Sequence, residues 1–318
     1  MKLDAVAREG HFADHILPVW NAIPDDLRGT FYVAFGGRDD IPNLVKGTPP
    51  AGATPMLVAS SSDLYRSRKL GRPCAIMEHG CGQSFGGERR SAHHPSYAGG
   101  NNRDAQMFLH PGPHPAARDR AAYPQARVEV VGCPKLDSLP RKERSGDPVV
   151  AVAFHWDCHV SPETRSGAMA FGPMLGELAR RYKVIGHGHP RIIDRLVRLY
   201  GRMGIELVRT FDEVCRRADV YLNDASSTLF EFASTGRPVV VLNSPLYRPN
   251  VHHGLRFWEA ATVGVQVTPR DCLSEAVALA LADPPEQQAA REAALDLVYA
   301  FRSGGAERAT AALVDWAA

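Results

Sequence analysis

The sequence predicts an α/β protein with two parallel β-sheets, each covered by helices on both faces, and three observations support this. Short, continuously apolar segments alternate with segments of helical periodicity along most of the 318 residues. Apolar strands that alternate with helices are typical of parallel sheets buried on both faces. A hydrophilic break at residues 141–148 divides the pattern, and the chain is long enough for two cores.

The first half contains four clear strand candidates, at residues 31–35, 56–59, 74–77 and 128–131. Residues 82–115 are rich in Gly, His, Pro and Asn and show no periodicity. We therefore predict that this stretch is a long loop at a site or a mobile flap.

The second half restarts with the apolar segment PVVAVAF. It contains six strand candidates, at residues 149–154, 184–186, 205–208, 220–222, 239–242 and 265–267. Helical patterns lie between them, at residues 174–182, 192–203, 211–218, 228–235 and 273–282. Residues 285–318 predict two helices that are broken at Ser303-Gly304-Gly305.

The composition excludes several classes of protein. The formal net charge is +2, which gives no global electrostatic case for binding nucleic acid or membrane. The six cysteines form no C-x-x-C pair, which argues against a zinc cluster and a disulfide framework. Since there is no signal peptide and no apolar run that could span a bilayer, we expect a cytoplasmic protein without an integral membrane segment. Attachment to a membrane surface stays open.

Polar residues follow five of the predicted strands, and open parallel sheets bind ligands beyond the carboxyl ends of their strands. These segments are Glu78-His79-Gly80, Gly132-Cys133-Pro134-Lys135-Leu136-Asp137, His155-Trp156-Asp157, His187-Gly188-His189-Pro190-Arg191 and Asn223-Asp224-Ala225-Ser226-Ser227. Because they are spread over both halves, we predict a site in a cleft between two domains.

The last of these segments is the most informative. Ser226 and Ser227 stand where the helix at 228–235 is predicted to begin. A helix start offers unpaired N–H groups and the positive end of a dipole, which suits a phosphate. Asp224 and the serines are also ordinary helix-capping residues, and capping uses the same N–H groups.

Four motifs together resemble a known family: H-G, then G-x-P-K-x-D, then H-x-H-P-R, then N-D-x-S-S-x-x-F-E-F-x-x-x-x-R-P-V-V. Their order is similar to that of the CDP-glycerol glycerophosphotransferases, the teichoic acid primases and polymerases. More broadly it resembles the GT-B nucleotide-sugar enzymes, including the UDP-N-acetylglucosamine 2-epimerases. The resemblance covers residues 74–282 and is strongest over 183–247. Around His79 the chain lacks the Trp, Thr and Lys of the family pattern W-H-G-T-x-x-K. The resemblance therefore does not define the acceptor or the transferred group.

The resemblance implies the GT-B architecture, in which two Rossmann-like domains face a central cleft. Residues 1–141 would form the acceptor domain and residues 146–284 the nucleotide-donor domain. The helices within 285–318 would pack back onto the first domain.

The resemblance also implies roles for the histidines and one arginine. His79 matches the proposed general base, and the ordinary histidine pKa suits that task. A histidine that merely caps a strand end is an equally good reading of His79. His189, a second candidate catalytic residue, and Arg191 would contact the donor phosphates and stabilise charge on the leaving diphosphate. His155 would lie near the same diphosphate.

The remaining implied donor-binding residues belong to the 223–231 segment. Ser226 and Ser227 would hold the pyrophosphate, Asp224 would orient their turn or bind ligand, and Glu231 would hold the ribose hydroxyls. GT-B enzymes generally need no metal, so we expect neither a metal nor a cofactor beyond the activated donor.

The predicted function is transfer of a glycosyl or glycerophosphoryl group from a nucleoside-diphosphate donor to an acceptor hydroxyl. The acceptor would be a cell-wall polymer, a glycan or a modified DNA base. A DNA acceptor predicts a basic groove that includes Arg89, Arg90, Arg118 and Arg120. The same motifs are compatible with a nucleotide-sugar epimerase or hydrolase, and with a non-catalytic binding module. Arg248, His252 and His253 could reach a ligand, but a solvated loop is the favoured reading for them.

Overall fold

A computed structural model describes residues 1–36, 38–81, 105–140, 142, 146–159, 162–246 and 261–318. Several of the residues named above lie outside these ranges: Arg89, Arg90, Arg248, His252, His253 and most of the predicted loop at 82–115. The described residues group into two compact units. Unit 1 contains those up to Ser138 together with Val298–Ala318, and unit 2 contains those of Leu139–Leu297.

Unit 1 is built on a seven-stranded parallel sheet. Its strands are β1 (Leu3–Ala7), β2 (Arg28–Val33), β3 (Leu44–Lys46), β4 (Met56–Val58), β5 (Cys74–Met77), β6 (Met107–His110) and β7 (Arg127–Val130). The strand order is β3-β2-β1-β4-β5-β6-β7, so the direction of winding reverses between β1 and β4. The helices are α1 (Gly10–Ala22), α2 (Ser61–Lys69) and α3 (Pro113–Ala122), with a 3-10 helix at Pro134–Ser138.

Unit 2 is built on a six-stranded parallel sheet. Its strands are β8 (Val149–Phe154), β9 (Lys183–Gly188), β10 (Glu206–Leu207), β11 (Val220–Asn223), β12 (Val239–Leu242) and β13 (Val265–Val267). Their order is β10-β9-β8-β11-β12-β13, which places a second reversal between β8 and β11. The helices are α4 (Ala168–Phe171), α5 (Leu175–Arg181), α6 (Ile193–Gly201), α7 (Phe211–Arg217), α8 (Thr228–Ala233), α9 (Leu273–Ala282) and α10 (Pro285–Val298).

Burial explains why the strands of unit 2 are apolar throughout. All six residues of β8 are buried, because helices pack on both faces of the sheet. Tyr200 of α6 packs against the sheet, and its hydroxyl lies 2.7 Å from the carbonyl oxygen of His187 and 3.1 Å from that of Val152, so the two carbonyls share its proton. A Cβ on Gly186 would approach the Tyr200 ring to 2.5 Å, so the close approach of this ring requires glycine there.

The six strands and the helices predicted in the second half are confirmed, with ends that shift by one or two residues. The break at Ser303-Gly304-Gly305 is also confirmed, since Gly304 has a φ of +68° and a new helix, α11 (Gly305–Ala317), follows it. This last helix packs against α1 in the core of unit 1.

The prediction of a loop over residues 82–115 is wrong at its end, because β6 and the start of α3 lie there. The strand is only four residues long and is followed at once by Pro111-Gly112, so it gives no periodicity. Two other strands were not predicted. The segment of β1 carries a charged residue, Asp4, and β3 is a three-residue edge strand.

Candidate functional site

Four side chains gather beyond the carboxyl ends of β8 and β9, in unit 2. The ring of His155 lies 5.9 Å from that of Trp156 and 5.4 Å from that of His189, centre to centre. The guanidinium carbon of Arg191 lies 4.8 Å from the centre of the Trp156 ring. Two imidazoles and a guanidinium beside an indole can donate hydrogen bonds to an anion and offer a flat face to a ring. We call these four residues the strand-end cluster.

The position and the tautomer of His189 are fixed by main-chain hydrogen bonds. Its own N–H donates to the carbonyl of Phe154 over 3.0 Å. Its Nδ1 atom lies 3.2 Å from the N–H of Arg191, which can only donate. Nδ1 is therefore the acceptor, and the proton of the neutral ring is on Nε2. His189 is thus a hydrogen-bond donor through Nε2, as contact with a phosphate oxygen requires.

Asp224 holds together three chain segments at the reversal between β8 and β11. Its Oδ1 atom accepts from the N–H groups of His155, over 2.7 Å, and Ala225, over 2.8 Å. Its Oδ2 atom accepts from the N–H of Gly167 over 2.7 Å. Burial raises the pKa of Asp224 to about 6, against the opposing effect of these hydrogen bonds. Because both oxygens are engaged, the geometry supports an orienting role rather than direct ligand contact.

The two serines and Glu231 lie at the start of α8, which has six residues. The Ser226 hydroxyl accepts from the N–H of Thr228 over 3.3 Å, and the Ser227 hydroxyl donates to Oε1 of Glu231 over 3.3 Å. Glu231 has no exposed surface. The structure therefore shows Glu231 positioning Ser227, and its contact with a ribose stays a prediction.

Arg237, the arginine of the R-P-V-V motif, has a structural role. Its Nη1 atom donates to the carbonyls of Cys215 and Ala218, at the end of α7, over 2.7 Å and 2.6 Å. Its guanidinium also lies 4.4 Å from the centre of the Phe232 ring. The side chain thus satisfies carbonyl groups that the helix end leaves open. The motif fixes the loop before β12.

His79 lies beyond β5 in unit 1 and has the opposite tautomer from His189. Its Nδ1 atom lies 2.7 Å from the carbonyl oxygen of Ala59, which can only accept. Nδ1 therefore carries the proton, and the neutral ring has its lone pair on Nε2. The edge of Phe12 packs on the ring at 4.8 Å. A half-buried imidazole with a lone pair on Nε2 has the electronic state of a general base.

A buried ionic network that the sequence did not reveal stands directly beside His79. His110 Nδ1 lies 3.0 Å from Oε2 of Glu78, and its Nε2 lies 2.8 Å from Oδ2 of Asp119. Burial opposes the charge on His110, but the hydrogen bonds that its ring donates to Asp119 and Glu78 outweigh burial and raise the pKa of His110 to about 9. These contacts join the ends of β5 and β6 to helix α3. His110 is the last residue of β6, so recognising this strand in the sequence would have indicated His110 as a strand-end residue.

The G-x-P-K-x-D segment follows β7, and its residues have separate tasks. Gly132 has a φ of +87°, which favours glycine. Oδ2 of Asp137 accepts from the N–H of Ala306 over 2.8 Å and so satisfies the first turn of α11. Lys135 influences the pKa of the buried His15. Burial lowers that pKa, and the charge of Lys135 lowers it further.

No helix in the described part of the chain is long and apolar enough to cross a membrane. Within the same ranges, no group of three or more His, Cys, Asp or Glu side chains is arranged to hold a metal ion. In unit 2, the polar groups beyond the ends of β8, β9 and β11 are the histidine ring nitrogens, the Arg191 guanidinium, the serine hydroxyls and the main-chain amides described above.

No protein-family model matches the sequence, and no curated protein matches it at the sequence level. Solved structures do match over nearly the whole chain. The MnaA–UDP co-structure from S. aureus has a TM-score of 0.64 at 12% identity, and the match covers 99% of this chain and 96% of that one. The UDP-GlcNAc 2-epimerase from Neisseria meningitidis, bound to UDP-GlcNAc, gives 0.58 at 13% identity, with 99% of each chain covered.

The wall teichoic acid polymerase TagF is a third match, with a TM-score of 0.61 at 14% identity. The match covers 99% of this chain and 88% of the TagF chain. These proteins share one fold, and the strand orders of the two sheets described above are consistent with it. At such low identity the likeness concerns the fold, and on that basis this chain has the GT-B fold, as its sequence predicted.

Proposed function

We propose that this protein transfers a glycosyl or glycerophosphoryl group from a nucleoside-diphosphate donor to an acceptor hydroxyl. The observation that carries the proposal is the pair of fixed tautomers. Nε2 of His189 is a donor beside Arg191, and Nε2 of His79 is a lone-pair acceptor. Transfer chemistry needs both: one group to stabilise the departing diphosphate, and one to remove a proton from the acceptor.

In this proposal unit 2 binds the donor. The diphosphate accepts hydrogen bonds from His189, Arg191 and the hydroxyl of Ser226, which in the structure only accepts, and its charge is met by the guanidinium and by the amide groups at the start of α8. Asp224 fixes the ends of β8 and β11 against each other, so the donor groups are held in place before the ligand arrives. Trp156 offers its indole face to a ring of the donor.

Nucleotide binding is tested first, by isothermal titration with CDP, UDP, GDP, ADP and dTDP. We expect Ser226→Ala to weaken binding of the preferred nucleotide by about tenfold, since one charge-assisted hydrogen bond is lost. Ser234→Ala is the matched control, because its hydroxyl donates to a carbonyl of the same helix, that of Phe230, near the helix end. Equal affinity of the two variants would contradict the assignment of Ser226.

The role of His79 is tested by turnover. With a competent donor and acceptor, His79→Gln should lower the rate by about 100-fold or more and leave nucleotide affinity unchanged. His159→Gln is the control, since His159 is an exposed histidine of unit 2 paired with Asp157. Unchanged turnover in His79→Gln would remove His79 from the mechanism.

A second candidate, epimerisation of a nucleotide sugar without an acceptor, is favoured by the extent of the structural match. The match covers 99% of the Neisseria meningitidis epimerase chain but 88% of the TagF chain. The two candidates separate when the protein is incubated with UDP-GlcNAc alone. Conversion of the sugar without an acceptor would support epimerisation and contradict transfer.

A further inference from the structure

A cavity of about 530 Å³ lies in unit 2, where the start of α9 meets α5. Its walls come from residues within 173–180 and from residues 269–274, which lead from β13 into α9. The four residues of the strand-end cluster are not among the described residues that line it. The volume is in the range of small-molecule sites, about 300–1,000 Å³. The cavity is therefore large enough for a ligand of its own.

The first turn of α9 has main-chain N–H groups without an acceptor. The helix has ten residues, and its own hydrogen bonds offer no acceptor to the N–H groups of the first three, 273–275. Cys272, at the helix start, provides no side-chain cap. The carboxylate of Asp271 is engaged elsewhere, since its Oδ2 atom accepts from the N–H and the hydroxyl of Thr268. Among the residues that the structure describes, none accepts from these three N–H groups, and residues 273 and 274 line the cavity.

The side chain of Ser274 also lacks a partner. Ser274 lines the cavity and is 1% exposed. Its hydroxyl oxygen is buried and forms no hydrogen bond within the described part of the chain. An unpaired buried hydroxyl is unfavourable, so native structures rarely leave one without a ligand or a water molecule. An oxygen atom of a ligand at the start of α9 would supply the missing acceptor.

Two arginines line the same cavity. Arg180 comes from α5, and Arg270 comes from the turn before α9. Within the described ranges, neither guanidinium forms an ion pair or a hydrogen bond with another side chain. The positive end of the α9 dipole adds to their charge. Together these groups favour an anion, and phosphate is the anion that suits both a helix start and arginine.

The carboxylates at the cavity show that a bare anion is not the best fit. Glu177 of α5 lines the cavity and pairs with no cation among the described residues, whereas Asp271 is turned toward Thr268. A carboxylate repels a phosphate but accepts from a hydroxyl group. Pro173 and Met174 offer apolar atoms to a carbon frame. The lining thus suits a ligand with a phosphate at one end and hydroxyl groups at the other.

We propose that this cavity binds a phosphate monoester of a sugar or polyol. The phosphate accepts from the N–H groups at the start of α9 and from the hydroxyl of Ser274, and its charge is met by Arg180 and Arg270. The hydroxyl groups of the ligand donate to Glu177. The site stands on unit 2 alone and does not depend on the proposed function.

The binding test uses ¹H–¹⁵N NMR of the full chain, titrated with inorganic phosphate and with glucose 1-phosphate. We expect the amide signals of residues 273–275 to move in a saturable way with both probes. Saturation without movement of these signals would overturn the site. The titration is repeated with saturating UDP, and we expect the same movement. If UDP abolishes it, the cavity is not separate from the donor site and the proposal is wrong. If UDP does not bind at all, the proposed function loses support while the titration still decides the cavity.

Arg180→Met and Ser274→Ala test the partners of the phosphate. We expect each to weaken the binding of inorganic phosphate by about tenfold. The matched control is Arg181→Met, since Arg181 is the next residue of α5 and is not among the described residues that line the cavity. Phosphate affinity equal to that of the control, in either variant, would overturn the site. Because Ser274→Ala removes an unpaired hydroxyl, it should not lower the midpoint of urea unfolding; a lower midpoint would contradict the assignment of Ser274.

Glu177→Met tests whether the ligand carries hydroxyl groups. In the natural chain we expect glucose 1-phosphate to bind about tenfold more tightly than inorganic phosphate, because its hydroxyl groups donate to Glu177. In Glu177→Met this advantage should disappear, while inorganic phosphate binds at least as tightly as before. Equal affinities of the two probes in the natural chain would refute the sugar or polyol ester as the ligand.

Discussion

The network of Glu78, His110 and Asp119 makes the stability of unit 1 depend on pH in a predictable direction. The folded protein holds the pKa of His110 at about 9, whereas the ordinary value is 6.5. The protonated form is therefore stabilised by folding. This contribution is fully present below about pH 6.5 and is lost as the pH rises through about 9. The difference between the two values corresponds to roughly 3 kcal/mol of unfolding free energy.

A neutral variant isolates this contribution. In the triple substitution Glu78→Gln, His110→Gln and Asp119→Asn the site has no titrating group, while the rest of the chain is unchanged. Urea unfolding of both proteins between about pH 6 and about pH 10 gives the two free energies, and their difference removes the effect of all other groups. We expect the advantage of the natural chain over the triple variant to shrink by roughly 3 kcal/mol across this range.

The single substitution His110→Gln gives a second measure. It leaves the Glu78 and Asp119 carboxylates buried, 1–2% exposed, without the cation between them. Removing one partner from a buried ionic group costs about 3–5 kcal/mol, so His110→Gln should be less stable than the triple variant at neutral pH. A free-energy difference that does not change with pH, together with a stable His110→Gln, would refute the reasoning.

Three further predictions concern unit 2 and are measured by urea unfolding. Asp224→Asn places an amide NH₂ against an N–H donor such as that of Gly167, so it should cost about 2 kcal/mol, and an unchanged midpoint would contradict the orienting role. Gly186→Ala drives a Cβ into the Tyr200 ring and should cost about 1–3 kcal/mol, whereas Gly176→Ala in α5 meets nothing within 4 Å and should be neutral or slightly stabilising. Equal stability of the two alanine variants would show that the ring can move aside. Tyr200→Phe removes a hydroxyl that bonds two main-chain carbonyls and should cost about 1 kcal/mol; no loss would mean that water replaces it.

Unit 2 was more predictable from the sequence than unit 1, and the reason is physical. A strand such as β8 is buried on both faces and has no polar residue, so its apolar run is visible locally. In β1 the charge of Asp4 interrupts the pattern, and the ion pair that makes it tolerable, with Arg72, joins residues far apart in the sequence. No local pattern can reveal such a pairing.

Only part of the candidate site was predictable from the sequence. The strand-end rule indicated His155, His189 and Asp224, because parallel strands bring their carboxyl ends to one edge. It could not show that Glu231 is fully buried, nor which ring nitrogen of a histidine carries the proton. These properties depend on main-chain partners from other segments, such as the carbonyl that faces His79.

The packing of α11 on α1 has a consequence for the order in which the protein folds during synthesis. The Thr310 hydroxyl donates to the carbonyl of Val19, a contact that spans 291 residues. The described residues of unit 2 all precede α11 in the chain and can fold as soon as they leave the ribosome, whereas the core around Ile16 lacks Ala309 and Leu313 until α11 has been translated. The apolar face of α1 is therefore left without α11 while the whole of unit 2 is translated, so nascent unit 1 is the part expected to depend on chaperones. A chain truncated before α11 is expected to contain a folded unit 2 and an open unit 1.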